Sequence, residues 1–418
     1  MKTFVSWRAI CVTLVIVTTA FDQTAARDLF QVTSITTDVG PALRGTDGAS
    51  SMVPLLQAAI KAQGPFNAFA TRDYTSVLNY ANVDKAILFN VASNGTAAEI
   101  RIPVTGFRKV FTAPNRSQLY KDIENFLKRD GAAEWARFLA AMNASSPVAV
   151  SDGNPNSTTA SFASATFNNF GSLNDSPAPG TKSGSNSLGL AFDESSFRAG
   201  GFRGQVYQIP ITGKCRLTDR VSLGYQIPIQ LVTVAGATIY QAGVILDFPW
   251  KIIEPSDTQK WEWQLMPTIG LAGGGSPNMV AGGAMIAGSL TSVLSRQIGN
   301  VTLAMGNYVG IFEGVDVSIG NYSLDSSIDQ QILKNGLRVS LPFARNWLVE
   351  AYGICTNFLQ SAAVNTYFTV GAELGYRFIY RRGQDEVDLG YLKLGLYGDI
   401  GNKSYQSGHI QFGSGWKF

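Results

Sequence analysis

The chain has 418 residues, enough for two or three ordinary domains and a sizeable core. Only 15% of the residues are charged, while 45% are hydrophobic, 11% aromatic and 43 are glycine, a balance poorer in charge than that of most soluble enzymes. A net charge of +3 spread along the chain argues against a nucleic-acid partner, and a single histidine, His409, excludes any mechanism or metal site that needs two.

Residues 1–26 read as a secretory signal. Lys2 and Arg8 precede an apolar run over residues 9–17, and small residues follow, with cleavage expected after Ala20 or Ala26. The apolar run is about half the length of a membrane-spanning helix. Cys11 lies at the start of that run and not after it, so it is not a lipoprotein cysteine; Cys215 and Cys355 give no reason to expect a disulfide. Beyond the signal no stretch of about eighteen apolar residues occurs, so a membrane location requires a closed barrel.

Residues 27–143 read as a small α+β domain. SSMVPLLQAAIKAQG is a helix with Ser51 near its start and Gly64 past its end, and AILFNVASNGTAAEIRI is a hairpin turning at Asn94 and Gly95. NRSQLYKDIENFLKRDG lines Leu119, Ile123, Phe126 and Leu127 along one helical face, and AAEWARFLAAMN does the same with Trp135, Leu139 and Met142. A soluble core accounts for these stripes better than a partner-binding face does. Residues 144–185 are dominated by Ser, Asn, Gly, Pro and Thr. They are expected to be a disordered linker, with at most one short extended piece at residues 162–170.

From residue 186 the pattern changes to a period of two. The pentapeptide YQIPI occurs at residues 207–211 and again at 225–229, each copy inside an alternating run with its proline on the polar face. In the second copy Val221, Leu223, Tyr225, Ile227, Ile229 and Leu231 oppose Ser222, Gly224, Gln226, Pro228 and Gln230. A proline there costs strand pairing unless a bulge or water relieves it. Similar runs follow at residues 240–251, 261–271, 368–378 and 392–397, with looser alternation at 279–291, 301–312 and 347–358. A soluble sandwich also alternates. Lipid is favoured by segments of ten to fourteen residues, by aromatics at the ends of apolar faces (Trp250, Trp261, Trp347, Tyr380, Trp416), and by opposite faces rich in Gln, Thr, Gly and mixed charge. GLAGGGSPNMVAGG has no helix after it and reads as a turn flanked by small inner-wall residues, not as a phosphate loop.

The chain ends HIQFGSGWKF, with Ile410, Phe412, Trp416 and the terminal Phe418 on one face. This resembles the closing strand of bacterial outer-membrane β-barrels. The resemblance implies that these four residues are the signal read by the barrel-assembly machinery, that the partners include outer-membrane lipid, and that the location is the bacterial outer membrane. Eleven strands are evident from Gln205 onward. Because such barrels have an even number, NSLGLAFDE supplies the twelfth and both barrel ends face the periplasm. The turns at 218–220 and 344–346 then fall inside and the long stretch from 313 to 329 outside. RRGQDEVD, long and inside, and GNKS, short and outside, fit less well. The expected fold is thus a transmembrane antiparallel β-barrel of about twelve strands over residues 186–418, preceded by the α+β domain and the linker.

The leading functional expectation is a channel or porin-like barrel for small polar solutes with a periplasmic N-terminal domain and no cofactor or metal. Its candidate lumen residues are Lys214, Arg216, Asp247, Glu262, Arg338, Glu373, Arg377, Lys393, Asp399, His409 and Lys417. Against it stands an interior whose charges pair and conduct nothing. The alternative is an autotransporter-like barrel that displays or secretes the N-terminal domain, although no clear pore-spanning helix precedes the strands. A barrel enzyme with His409 as its base is the weakest reading, and the chain is not expected to be an enzyme.

Overall fold

A computed structural model describes residues 27–37, 43–173, 181–256, 260–319, 322–324, 328–382 and 385–418. The expected secretory signal lies outside the described residues. The N-terminal unit is a six-stranded antiparallel sheet in the order β2-β1-β3-β4-β5-β6, formed by β1 (Phe30–Thr36), β2 (Arg44–Ala49), β3 (Tyr74–Tyr80), β4 (Val83–Val91), β5 (Ala97–Ile102) and β6 (Phe107–Thr112). Three helices join it: α1 (Met52–Ile60), α2 (Arg116–Asn125) and α3 (Ala132–Ser145). The Asn115 side chain caps α2 by accepting from the Gln118 N–H at 2.9 Å. Gly95 takes a φ of +66° in the β4–β5 turn, as the Asn-Gly pair requires. Leu55, Leu119, Ile123, Phe138 and Met142 from the helices meet Phe30, Leu78, Phe89 and Ile100 from the sheet in one core.

Among the described residues, twelve long strands then close a barrel: β7 (Asn186–Ala199), β8 (Phe202–Arg216), β9 (Ser222–Val234), β10 (Ala237–Asp247), β11 (Trp261–Ser276), β12 (Ala281–Ile298), β13 (Val301–Val315), β14 (Asp329–Ala344), β15 (Trp347–Phe358), β16 (Thr366–Arg382), β17 (Asp385–Gly401) and β18 (Gln406–Lys417). Neighbours pair antiparallel throughout, and β18 closes onto β7 in a ladder from Gln406 opposite Arg198 to Lys417 opposite Ser187. Cys215 and Cys355 are both free thiols.

The repeated YQIPI segments are partners. Pro210 on β8 lies directly opposite Pro228 on β9, with Ile209 opposite Ile229 and Gln208 opposite Gln230. Each ring's missing N–H falls on the side away from the other. There the ladders skip two residues on each strand, between Leu190–Asp193 and Gln208–Ile211 on one side and between Gln226–Ile229 and Ala242–Ile245 on the other. Equal gaps mean no bulge: the cost of both prolines is confined to two short interruptions flanking an intact pair.

The connection at RRGQDEVD is shorter than its sequence suggests. β16 runs to Arg382 and β17 starts at Asp385, so most of the segment is ladder. A bulge there sets Ile379 against Asp388 while Arg377 faces Tyr391, with Gly390 at φ +136°. The extra residue turns Asp388 inward, where it is fully buried.

One expectation is overturned over the described residues 144–173: the disordered linker with its extended piece at residues 162–170. Residues 158–167 instead form α4 (Thr158–Phe167), with Ser157 as its cap, and eight of its ten residues are buried. Seen alone the segment cannot bury enough surface to order itself, but the inside of the barrel supplies that surface. The barrel begins and ends beside the turns at 217–221, 299–300 and 345–346, where Asn186 and Phe418 exchange backbone hydrogen bonds of 3.0 Å. The domain sits on the other mouth. Met52 N–H donates to the Asn278 carbonyl at 2.9 Å, Tyr80 hydroxyl to the Met279 carbonyl at 3.0 Å, and Trp135 Nε1 to the Val280 carbonyl at 2.7 Å.

At that mouth the inward positions change from polar to apolar. Phe197, Val206, Val232, Val234 and Ile239 merge into the core of the domain itself. Burial of Tyr80 raises its phenol pKa well above the ordinary value, so it stays a neutral donor. Tyr80→Phe removes its bond and leaves a buried carbonyl unanswered, a loss of about 1–3 kcal/mol. The expected result is faster protease cleavage of the domain in the detergent-solubilised protein, with the barrel itself unchanged.

Candidate functional site in the barrel lumen

Residues 149–173 run through the barrel from the domain-bearing mouth toward the mouth where the barrel starts and ends. At entry, the Asn143 and Gly153 carbonyls accept from the Ala363 and Val364 N–H groups at 3.0 Å each, and Gln330 Nε2 donates to Asp152 Oδ2 at 3.0 Å. One turn further, Gln230 and Gln241 of neighbouring strands both donate to the Asn156 carbonyl, at 3.3 and 3.0 Å, and Ser161 donates back to Gln230 at 3.0 Å. Mid-lumen, Phe162, Phe167 and Phe170 are buried against Ile245, Met285, Tyr308, Phe312 and Ile354, all inward residues of the wall. The stacked Phe167 and Phe170 rings, 4.7 Å apart, fit because Gly306 and Gly336 face them: a Cβ would fall 2.5 Å from Phe170 at Gly306 and 2.6 Å from it at Gly336.

Below α4 the segment is held by charge. Lys334 Nζ donates to Ser164 Oγ at 3.1 Å and Asn168 Oδ1 at 2.9 Å, and an Arg338 guanidinium nitrogen donates to the Asn168 carbonyl at 2.6 Å. Glu350 is fully buried. It accepts from Arg338 at 2.9 Å, Ser340 at 2.8 Å, Ser172 Oγ at 2.7 Å and the Leu173 N–H at 2.7 Å, so two of its four donors belong to the threaded segment. Glu373 extends the network to Lys393 at 3.3 Å, and Lys393 also donates to Asn169 Oδ1 at 2.9 Å. Arg377 donates to the Leu173 carbonyl.

A second cluster centres on His409. Its ring lies between Asp193, 3.0 Å from Nδ1, and Asp399, 3.1 Å from Nε2, and stacks on Tyr397 at 4.0 Å. Ser407 touches both Nε2, at 2.8 Å, and Asp399, at 2.6 Å. With a carboxylate at each nitrogen the imidazole cross-links β7, β17 and β18, and both of its nitrogens are engaged by the wall. Space remains beside the segment: a cavity of about 120 Å³ beside Lys393, Asp399 and His409, one of about 260 Å³ bordered by Lys214, Asp247, Glu262 and Lys417, and one of about 190 Å³ bordered by Leu173, Glu262 and Arg377.

The exterior is of opposite character. Leu190, Ile229, Val244, Leu271, Ile311, Leu337, Val370 and Leu394 stand exposed on successive strands, and Trp250, Trp261, Trp347 and Trp416 ring the mouth at which the barrel starts and ends. A closed, even-stranded antiparallel barrel with a bonded wall, a polar interior and this apolar outside fits hydrocarbon and not water. This is a closed, twelve-stranded antiparallel β-barrel of the membrane-spanning type.

The barrel is similar in architecture to several solved structures. Against the translocator domain of the autotransporter NalP from Neisseria meningitidis, it has 11% identity over 62% of this chain and 97% of that one, with a TM-score of 0.44. Against an outer membrane channel from Pseudomonas putida F1, it has 13% identity over 59% and 98%, with a TM-score of 0.41. Against the β domain of the Bordetella autotransporter BrkA, it has 10% identity over 56% and 100%, with a TM-score of 0.38. No family model matches the chain, and no curated protein does.

Of the candidate lumen residues, Arg338, Glu373, Arg377, Lys393, Asp399 and His409 lie in the two clusters around the threaded segment. Lys417 binds Asp388 at 3.0 Å, Lys214, Asp247 and Glu262 border the larger cavity, and Arg216 ends β8 exposed at the rim. Ile410, Phe412, Trp416 and Phe418 all stand on the apolar outside. Sequence reading missed Glu350, in a strand whose alternation small residues blur, Asp388, whose parity the bulge reverses, and Lys334, although it shares the inward face of β14 with Arg338. The glycines of GLAGGG divide between the faces: Gly270 and Gly274 look inward at Phe162 and Thr158, while Gly273 and Gly275 look out.

Proposed function

We propose that the protein is a surface-display barrel: it holds its N-terminal domain on the outer mouth and is closed to solutes by its own threaded segment. One observation carries this reading, the passage of residues 149–173 through the lumen to a domain docked at the mouth opposite the barrel ends. With those ends in the periplasm, as an even strand count in an outer-membrane barrel implies, the domain faces the medium. The passage of small polar solutes is the second reading. It is favoured by the residual polar cavities beside the segment and requires the segment to move. Neither reading assigns the chain a chemical reaction. The apolar exterior contacts outer-membrane lipid, and Ile410, Phe412, Trp416 and Phe418 form the strand presented to the assembly machinery.

Cysteine scanning on intact cells tests this. A cysteine at Val104, an exposed turn position of the domain, should react with a membrane-impermeant maleimide, whereas one at Ser161 inside the lumen should not. Labelling of Val104→Cys only after the outer membrane is permeabilised would place the domain in the periplasm and end the display reading.

A further inference from the structure

A cleft of about 490 Å³, almost wholly apolar, separates the N-terminal domain from the barrel rim. Its domain wall is Met52, Val53 and Leu56 of α1, Tyr120 and Ile123 of α2, and Leu127, with Trp135 behind. Its barrel wall is the outer, membrane-side surface: Tyr240 on β10, Gly275 on β11 and Gly282 on β12, which lie side by side in the ladder. Tyr240 is 61% exposed and shares the outer face of its strand with Val244 and Leu246. The next outward row down is Ala242, Gly273 and Ala284, followed by Val244, Leu271 and Ile286. A lane without large side chains therefore leads from the apolar belt straight into the cleft. Few polar groups line it, Ser276 and Glu124 among them, and the Lys61 ammonium lies beside it, 4.8 Å from the centre of the Tyr120 ring.

We propose that this cleft takes one acyl chain of a membrane lipid from the leaflet below the domain, with Lys61 near the headgroup phosphate. The choice of occupant rests on continuity. The cleft's barrel wall is the same outer surface that contacts the bilayer, so a chain can enter without crossing water, whereas a polar solute would meet mostly apolar walls. A pocket shared by domain and barrel also makes the lipid a wedge in the docking interface, so occupancy steadies the domain on the mouth. The proposal holds whether the lumen is permanently closed or gated.

The test uses the full chain reconstituted in phosphatidylethanolamine and phosphatidylglycerol vesicles that contain a phospholipid with a diazirine in its acyl chain. Photolysis should label peptides covering residues 52–60 and 120–135 as well as the outward faces of β9–β13. Val53→Trp and, separately, Leu127→Trp, which fill the cleft, should lose most of the domain labelling and keep that of the strands. Labelling confined to the strands in the parent protein overturns the proposal. So does domain labelling that survives both filling variants.

Discussion

Gly306→Leu converts a silent barrel into a conducting one. The side chain would have to occupy the space of the Phe170 and Phe167 rings, 2.5 and 3.0 Å from a Cβ at that position, and the wall cannot retreat because β13 is paired on both sides. The threaded segment must give way. The same state is reached from the segment side by Phe167→Ala, which removes a fully buried ring stacked on Phe170 and costs about 3–5 kcal/mol in a packed site. Applied to the balance between seated and unseated segment, even the lower figure raises the unseated fraction about a hundredfold. In planar bilayers the full-length parent should be quiet and both variants should flicker open repeatedly. A Gly306→Leu protein as quiet as the parent would mean that the segment does not seal the lumen.

Glu350→Ala carries the second large effect. The carboxylate holds Arg338 from the wall and two donors from the segment, so its loss strands a fully buried guanidinium. Breaking a buried pair from one side costs about 3–5 kcal/mol. Glu373, 3.8 Å from Arg338, recovers part of this, but it already serves Lys393. The rings of Tyr352 and Phe170, 4.6 and 5.4 Å from the guanidinium carbon, add cation–π attraction but no acceptor. Replacing both partners, Arg338→Met with Glu350→Leu, removes the unpaired charge and should cost clearly less than Glu350→Ala alone. Equilibrium urea unfolding in detergent micelles measures all three. If the double variant is the least stable, the pair is a source of stability in its own right and the argument from the stranded charge fails.

These two sites show where sequence reading ends. The period-two alternation, the aromatic strand ends and the closing strand at residues 406–417 are local patterns, because a strand shows its two faces to two solvents at every second residue. The barrel, its strand number and the outward set Ile410, Phe412, Trp416 and Phe418 are therefore readable from sequence. So are the charges on clean strands, such as Glu373, Arg377 and Lys393. Glu350 was not, since small residues blur the alternation around it; Lys334 was readable by the same parity as Arg338 and was passed over. Asp388 was lost because one inserted residue at a bulge inverts the parity of everything before it.

The sequence by itself determined the elements and which face of each is greasy, because those depend on a residue and its near neighbours. What only the tertiary structure decided is what fills the cylinder. The Ser- and Asn-rich segment at 144–173 has too little apolar surface to order alone. Phe162, Phe167 and Phe170 become a core only once glycines and aromatics from strands more than a hundred residues away surround them. The same reason governs the side on which the domain sits: it is fixed by a path through the lumen that no local pattern records.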